Sequence, residues 1–241
     1  MNSPTHPKAS LQGTPVEIKA AGVTLFGELG NAPQQDEATF RRGIVIFAHG
    51  SGSSRHSPRN QFVARVLEEH GFTTLLLDLL TDEESCVISK RFDISLLTTR
   101  LVEVITWVRC QPQLQQFSIG LFGASTGAAA ALRAAAAAHA HVDAVVSRGG
   151  RTDLTGASLS QVRAATLLIV GSDDKDVLAL NKETLAELSC EKRLAVIPGA
   201  THLFEEPGAL ERVASLAASW FKKHLARDSR KQEIHREVVE V

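Results

Sequence analysis

Six short apolar runs alternate with segments of helical length from residue 43 onward, and this order constrains the fold more than any other feature of the sequence. The runs are apolar on both faces, as strands covered by helices on two sides must be. They lie at residues 43–48, 73–77, 117–122, 142–146, 165–170 and 194–197. Parallel neighbours in a sheet need crossover connections, and helices usually supply them. The alternation therefore predicts an α/β protein with a mainly parallel sheet and helices on both faces.

The first strands have a different pattern. Residues 16–20 and 23–29 alternate in polarity around Gly22, which predicts an antiparallel hairpin at the edge of the sheet. With this hairpin the sheet has about eight strands. Segments of helical period lie at residues 60–69, 94–109, 126–140, 177–188 and 210–224. The alanine-rich stretch 128–138 is interpreted as a buried structural helix, because alanine is the best helix former and its small side chain lets a helix approach a sheet closely.

The length of 241 residues fits one domain, since α/β folds reach about 250 residues as single domains. We assign this domain to residues 15–226, with residues 1–14 as a disordered N-terminal segment and residues 227–241 as a charged C-terminal extension. Only the connections at residues 79–91 and 147–161 are long, so no separate lid domain is expected. These two connections would shape a fairly open site, suited to small soluble substrates.

Composition excludes several classes of protein. The 26 Lys and Arg residues nearly cancel the 27 Asp and Glu residues, whereas a nucleic-acid binder needs a basic excess or a concentrated basic face. The polar N-terminus lacks the apolar core of a signal peptide, and no apolar stretch approaches the roughly 20 residues that cross a bilayer. Three widely spaced cysteines fit neither a disulfide framework nor a zinc site built on paired cysteines. We therefore expect a cytoplasmic protein that binds no metal, nucleic acid or membrane.

The sharpest chemical signal is a G-x-S-x-G motif at residues 123–127, between an apolar run and the alanine-rich helix. A strained strand-to-helix turn lifts such a serine above the sheet, and small flanking residues let neighbouring backbone pass. The helix N-terminus beside it favours developing negative charge. Ser125 is therefore the predicted nucleophile, and the backbone N–H of Thr126 is a predicted oxyanion donor. A purely structural glycine-rich turn is the alternative.

A second glycine-rich segment, His49-Gly50-Ser51-Gly52, follows the run at 43–48. A loop at this edge of a parallel sheet can aim a backbone N–H at an oxyanion, and we assign Ser51 to this role. A nucleotide-binding loop is the alternative, but the patterns G-x-x-x-x-G-K-[ST] and G-x-G-x-x-G are both missing. His49 is interpreted as a structural side chain beneath the loop.

An activated serine needs a base and an acid that orients it. His202 follows the run at 194–197, at the same edge of the sheet as Ser125, and is the predicted base, with His56 as its rival. The turn after the run at 165–170 offers three carboxylates, of which at least one is expected to cap the next helix. They belong to Asp173, Asp174 and Asp176. Serine, then aspartate, then histidine is the chain order of α/β-hydrolases.

On these motifs the sequence resembles the α/β-hydrolase superfamily, and within it the small bacterial dienelactone-hydrolase-like hydrolases, some of which are joined to phosphoribosyltransferase domains. The matching segments are residues 47–53, 123–127, 171–174 and 199–204. The family's acid usually stands as G-x-x-D after its strand, which implies Asp174. Dienelactone hydrolases proper have a cysteine where this chain has Ser125, so the resemblance implies acyl hydrolysis rather than dienelactone cleavage itself. It also implies a phosphoribosyltransferase as a candidate partner.

Basic residues lie after several predicted strands, at the edge where open α/β sheets bind ligands. One hypothesis is that one or more of four arginines hold a substrate carboxylate or phosphate through a bidentate contact. They are Arg55, Arg59, Arg148 and Arg151. The alternative, which the sequence favours equally, is that these side chains tie loops to acidic neighbours.

The function predicted from the sequence is two-step acyl transfer to water, with Ser125 as nucleophile, His202 as base and Asp174 holding the imidazole. The substrate is a small acyl ester, lactone or thioester, and no cofactor is implied. Two alternatives from other classes stay open. One is a fold that binds a small molecule or a protein without turnover, and the other is an accessory domain of a phosphoribosyltransferase with marginal catalysis.

Overall fold

The apolar runs form one eight-stranded sheet in the computed structural model, which describes residues 13–30, 43–137 and 142–225. The strands are β1 (Thr14–Ala20), β2 (Val23–Gly30), β3 (Gly43–Ala48), β4 (Thr73–Leu77), β5 (Ser118–Ala124), β6 (Ala144–Arg148), β7 (Ala165–Gly171) and β8 (Lys192–Ile197). Across the sheet they follow the order β1-β2-β4-β3-β5-β6-β7-β8. β2 is antiparallel to both of its neighbours, and every pair from β4 to β8 is parallel. The predicted sheet, with its antiparallel N-terminal edge, is confirmed.

Helices cover both faces of the sheet. Within the described ranges they are α1 (Pro58–Glu69), α2 (Asp82–Ser85), α3 (Ile88–Arg91), α4 (Ile94–Cys110), α5 (Thr126–Ala137), α6 (Lys175–Glu187) and α7 (Ala209–His224). The apolar sides of α1 and α7 pack against one face. Those of α4 and α5 pack against the other, where α6 also lies. Because the central strands are parallel, their carboxyl ends lie at one edge of the sheet, where the loops that carry the predicted chemistry follow.

The central strands are apolar throughout because both of their faces are covered. Every residue of β3, β5, β6 and β7 is buried. α5 lies especially close to the sheet, since all of its residues except Arg133 and Ala137 are buried. The interpretation of the alanine-rich stretch as a buried structural helix is confirmed.

β6 begins two residues later than the sequence predicts. Asp143 stands at a corner before the strand, where its carboxylate accepts a 2.8 Å hydrogen bond from the N–H of Ile119 and its own N–H donates to the carbonyl of the same residue. The strand also ends two residues later than predicted, at Arg148, so Ser147 and Arg148 belong to β6 rather than to the loop after it.

The two long connections contain short helices that the sequence does not predict. The first holds α2 and α3, and the second holds a 3-10 helix, Thr152–Gln161. Residues 1–12 and 226–241 lie outside the described residues, as does the predicted end of the alanine-rich helix after residue 137. None of the helices in the described ranges is long and apolar enough to cross a bilayer.

Candidate active site

Ser125 occupies a sharp turn between β5 and α5, with a backbone φ of 51°. This left-handed conformation is strained for a residue with a side chain. The N–H of Ser125 donates to the carbonyl of Arg148 at 3.0 Å, which ties the turn to β6. A Cβ atom on Gly123 would overlap the start of α5, and one on Gly127 would overlap the carbonyl oxygens at the end of β3. Steric exclusion therefore explains both glycines of the motif.

Ser125, His202 and Asp174 form a continuous chain of hydrogen bonds. His202 Nε2 lies 3.2 Å from Ser125 Oγ, and His202 Nδ1 lies 2.6 Å from Asp174 Oδ2. A carboxylate only accepts hydrogen bonds, so Nδ1 carries the proton and Nε2 accepts from the serine hydroxyl. The imidazole is therefore oriented to take a proton from Ser125.

Only one of the three carboxylates after β7 reaches the imidazole. Asp174 is the N-cap residue of α6, but its side chain makes no capping hydrogen bond. Asp173 accepts a 2.9 Å hydrogen bond from the hydroxyl of Ser172, and Asp176 lies in the first turn of α6. The expectation that one of these carboxylates caps the helix is wrong, because the residue at the N-cap directs its carboxylate to His202 instead.

A compact turn between β8 and α7 holds His202. Glu206 Oε1 accepts hydrogen bonds from the N–H of Thr201 at 3.1 Å and from its hydroxyl at 2.6 Å, and these bonds lower the pKa of the Glu206 carboxyl. Phe204 has a φ of 55° and is fully buried, which anchors the turn in the core. Gly149 lies against the ring, since a Cβ there would be 3.4 Å from imidazole atoms of His202.

The glycine-rich loop after β3 passes directly beside the nucleophile. A Cβ on Gly50 would lie 3.2 Å from the Cβ of Ser125. The N–H of Ser51 donates to Thr126 Oγ1 at 2.8 Å. Thr126 is the first residue of α5, so its own N–H has no partner one turn earlier in the helix. The two predicted oxyanion residues are thus in contact, with the Ser51 amide engaged by the threonine hydroxyl.

The two histidines of this loop are not brought to Ser125. The buried ring of His49 accepts the N–H of Leu79 on Nε2 at 3.0 Å, so Nδ1 is the protonated nitrogen and donates to the carbonyl of Gly50 at 3.0 Å. Burial lowers the pKa of His49. Its predicted structural role beneath the loop is confirmed. His56 is exposed, and its Nδ1 lies 4.0 Å from a carboxylate oxygen of Glu28.

A cavity of about 630 Å³ lies between the glycine-rich loop and the first long connection. Small-molecule sites commonly have volumes of about 300–1,000 Å³. Its apolar lining comes from Phe26, Leu80 and Leu97, and its polar lining includes Arg91. Within the described ranges, no group of three or more His, Cys, Asp or Glu side chains is arranged to hold a metal ion. The cavity is therefore sized for a small organic molecule next to the predicted oxyanion loop.

The four arginines singled out from the sequence fall into two groups. Three of them pair with carboxylates, as the loop-tying alternative expects. The pairs are Arg55–Asp78, Arg59–Glu205 and Arg151–Asp153. Arg148 is buried and makes no ion pair with any described residue.

Most of the cavity wall comes from the glycine-rich loop, the residues that follow it and the first long connection, as the sequence predicts, but sequence reasoning missed the rest. Phe26 comes from β2 and Leu97 from α4, and no motif marks either position. A signal did exist for α2, because Thr81 and Glu84 have the S/T-x-x-E spacing of a capping box. Both hydrogen bonds of that box are present.

Comparison with known proteins finds relatives that extend over most of the chain. The family model of the α/β hydrolase fold matches residues 43–165. The crystal structure of dienelactone hydrolase from Anabaena variabilis is 50% identical, covers 89% of this chain and 99% of that protein, and has a TM-score of 0.83. Est1E from Butyrivibrio proteoclasticus shares the fold at 15% identity, with a TM-score of 0.74 over 90% of this chain and 100% of that one.

The curated relatives are longer than this chain. Two proteins from strains of Mycobacterium tuberculosis, both provisionally named phosphoribosyl transferases, are 54% identical over 215 residues. The match covers 89% of this chain but 47% of each relative, so the chain spans about half the length of the curated relatives that it matches. The family match, together with 50% identity over nearly all of dienelactone hydrolase, shows that the chain belongs to the α/β-hydrolase family and is a dienelactone-hydrolase-like hydrolase.

Proposed function

We propose that the protein is a serine hydrolase that cleaves a small acyl ester, lactone or thioester through an acyl-enzyme on Ser125. The observation that carries this proposal is the hydrogen-bonded chain from Ser125 Oγ to His202 at 3.2 Å and from His202 to Asp174 at 2.6 Å. These distances suit removal of the hydroxyl proton during attack on a carbonyl carbon. The name of the Anabaena relative adds support, since a lactone is a cyclic ester.

In the first half-reaction, Ser125 Oγ attacks the carbonyl carbon while His202 Nε2 takes the hydroxyl proton. The bond to the leaving oxygen or sulfur then breaks, and His202 returns the proton to the departing group. In the second half-reaction, water attacks the acyl-enzyme and passes a proton to His202, which returns it to Ser125 Oγ as the acid leaves. Asp174 keeps Nδ1 protonated and stabilises the imidazolium in both halves.

The backbone N–H groups of Thr126 and Ser51 are the proposed donors to the oxyanion. The first helical turn of α5 leaves the Thr126 N–H free for this role. The Ser51 N–H bonds to Thr126 Oγ1 at 2.8 Å and exchanges that bond for one to the carbonyl oxygen when it acts as the second donor. Each donor of this kind contributes a factor of about 10²–10³ to kcat in other enzymes.

The cavity beside the glycine-rich loop supports a small substrate. Its apolar wall of Phe26, Leu80 and Leu97 suits a short hydrocarbon body, and Gly50, which also lines the cavity, packs against Ser125. The two long connections contain only short helices, so they line the site without forming a lid domain in the described ranges.

The direct test is replacement of the nucleophile. Ser125→Ala is expected to lower kcat on an activated acyl ester by about 10⁴-fold or more, by analogy with serine proteases. Labelling by a fluorophosphonate probe should disappear in the same variant. Ser160→Ala, at an exposed position away from the site, is the matched control. Wild-type turnover by Ser125→Ala would show that the nucleophile is another residue.

A second candidate function is that of an accessory domain that partners a phosphoribosyltransferase. The match to 47% of two provisionally named phosphoribosyl transferases favours it, because about half of each relative is left for another domain. Copurification of the tagged chain with a phosphoribosyltransferase, combined with no fluorophosphonate labelling, would support this candidate. Labelling and turnover by the isolated chain would support the hydrolase.

A further inference from the structure

The turn that carries His202 is held in different ways on its two sides. On the side of β8, backbone hydrogen bonds tie it to the turn after β7. The N–H of Ser172 donates to the carbonyl of Ile197 at 2.9 Å, and the N–H of Asp173 donates to that of Ala200 at 3.0 Å. The first half of the turn is therefore fixed relative to the loop that carries the proposed acid.

The core holds the second half of the turn only from Phe204 onward. Thr201 is exposed, and Leu203 is 41% exposed. The His202 side chain between them is 37% exposed, although Gly149 lies against one side of its ring. Because apolar packing does not enclose the base, polar contacts on its exposed side have a large share in fixing its position.

The carboxylate of Glu206 supplies such contacts. Its Oε1 atom accepts from the N–H of Thr201 at 3.1 Å and from the hydroxyl of the same residue at 2.6 Å. These hydrogen bonds, first of all the one from the hydroxyl, lower the pKa of Glu206, so the group is ionised at neutral pH. Hydrogen bonds to an ionised acceptor are the stronger kind. Two donors on one oxygen fix both the backbone and the side chain of the residue before His202.

Glu206 is itself attached to α7. Its carbonyl accepts the N–H of Ala209, the first residue of that helix, at 2.9 Å. Gly208 adopts a φ of 79° within this tight turn, a conformation that favours glycine. The apolar side of α7 packs against the sheet, so the position of the helix is set by the core. The Glu206 side chain thus connects the residue before His202 to a fixed element.

We propose that Glu206 is a positioning residue for the proposed base, His202. Its carboxylate holds Thr201, and the next residue along the chain carries the imidazole. The inference rests on the proposed function and deepens it. His202 Nε2 lies 3.2 Å from Ser125 Oγ, at the outer end of the range of about 2.6–3.2 Å for such proton transfers. A small outward shift of the turn would therefore remove the contact that the reaction needs.

The first experiment compares Glu206→Ala with Glu205→Ala as its matched control. Both variants remove one negative charge from the same turn, but Glu205 pairs with Arg59 rather than with Thr201. Glu206→Ala is expected to lower kcat on 4-nitrophenyl butyrate by about tenfold to hundredfold, since a misplacement of about 1 Å can cost 10²-fold. KM should not change, because the base acts in the transition state. Glu205→Ala should change neither constant.

Conservative variants separate positioning from a general loss of stability. Glu206→Gln keeps an oxygen that can accept from Thr201, and its kcat should stay within about fivefold of wild type. Thr201→Val removes the hydroxyl donor and should lower kcat, whereas Thr201→Ser keeps this donor and should preserve it. The loss caused by Glu206→Ala should be smaller in a Thr201→Val background, because residues in contact are not additive. Fully additive losses would overturn the proposal.

The hydrogen bond between His202 and Asp174 supplies a measurement that needs no substrate. The proton on His202 Nδ1 should give a ¹H NMR signal downfield of the backbone amides, identified by its loss in His202→Gln. In Glu206→Ala this signal is expected to broaden or disappear, while Glu205→Ala should retain it. If Glu206→Ala does not fold, Thr201→Val gives the same comparison, because its backbone N–H still donates to Glu206.

The two measurements fail in different ways. A wild-type signal and wild-type kcat in folded Glu206→Ala would overturn the positioning role and leave the hydrolase intact. A lower Tm with both of these properties unchanged would also overturn it, since the carboxylate would then be purely structural. If the wild-type protein hydrolyses no ester but the signal depends on Glu206, the proposed function fails while the positioning of His202 stands.

Discussion

Asp174 lies between two other acidic residues in the sequence. The backbone geometry of the turn places its carboxylate, and not theirs, within hydrogen-bond distance of the His202 imidazole. As the N-cap of α6, it directs its carboxylate back over the end of β7 toward His202. Asp173 points to Ser172, and Asp176 is already on the helix. A carboxylate in either neighbouring position therefore cannot take over the hydrogen bond to Nδ1 without a change in the turn.

Asp174→Asn is accordingly expected to be severe, with kcat on an activated ester lowered by about 10⁴-fold, because an amide no longer fixes the tautomer of the imidazole. Asp173→Asn and Asp176→Asn remove the same charge from the same turn and should change kcat by about threefold or less, since neither group contacts His202. The measurement is steady-state hydrolysis by the three variants. If Asp173→Asn proves the most damaging, the orienting acid is Asp173.

The residues of the candidate site differ in how well the sequence alone predicts their roles. Ser125 could be predicted because the strained turn needs glycine two positions before and two positions after it, and His202 because it follows a strand in the right chain order. Asp174 was separable from its neighbours only through family resemblance, since spacing alone does not say which carboxylate turns back. The burial of Arg148 without an ion pair among the described residues could not be predicted, because the sequence places this residue in a loop rather than at the end of β6.

At the scale of elements, the wall of the cavity formed by α2 and α3 is fixed by one buried ion pair. Arg100 on α4 is 1% exposed and bonds Glu84 through both Nη atoms, at 2.5 and 2.9 Å. Its Nη1 also donates to the carbonyl of Leu79 at 2.8 Å. Lys90 adds a third charged contact to Glu84, at 2.8 Å. The connection is therefore anchored to α4 at its centre and is not a free loop.

Glu84→Gln is expected to destabilise the protein by about 3 kcal/mol, because it leaves the Arg100 guanidinium buried and unpaired. The free energy of unfolding can be measured by urea denaturation. Glu83→Gln, one residue earlier in α2 with no ion-pair partner among the described residues, is the matched control and should cost about 0.5 kcal/mol or less. Equal losses in the two variants would mean that the ion pair does not anchor the connection.

The same pair makes stability depend on pH. Hydrogen bonds from Arg100, followed by the one from Lys90, lower the pKa of Glu84 from 4.5 to about 2 in the folded protein. A carboxyl with a lowered pKa stabilises the fold fully above its unfolded pKa and loses that contribution as the pH falls. The loss should therefore develop between about pH 4.5 and pH 2, and it should be absent from Glu84→Gln.

The long helices and the strands could be predicted from the sequence because their apolar periods extend over many residues. α2 and α3 could not, since helices of four residues are too short to show a period. The capping box at Thr81 and Glu84 marked α2, and no side-chain cap marks α3. Short elements of this kind are defined by their caps and tertiary contacts rather than by their own patterning.

At the scale of the whole molecule, the sheet brings together three loops that are far apart in the chain. Ser125 follows β5 in the centre, Asp174 follows β7, and His202 follows β8 at the edge. β8 has only one neighbouring strand in the described sheet, and half of its residues are exposed. The base thus follows a strand at the edge of the sheet. The alternation of runs and helices predicts the sheet, but it does not predict which strand forms its far edge.

Activity should therefore be lost before the core unfolds. Local opening of β8 needs less free energy than global unfolding, and it separates His202 from Ser125. In a urea titration, the midpoint for esterase activity is expected below the midpoint for fluorescence of Trp220, whose buried indole donates to the carbonyl of Ala165. Coincident midpoints would show that β8 and the core unfold as one unit.

The ring of His49 has a further consequence, which concerns acid tolerance. Its hydrogen bonds join the carbonyl of Gly50 in the glycine-rich loop to the N–H of Leu79 at the start of the first long connection. The bond from Leu79 needs an unprotonated Nε2, so the imidazole must be neutral. Burial lowers the pKa of His49 in the folded protein below the ordinary 6.5. When the pH falls below 6.5, His49 is therefore protonated more readily in the unfolded protein, or where the loop has opened, than in the folded loop. Mild acidification therefore weakens the segment that carries the Ser51 amide well before Glu84 begins to lose its charge.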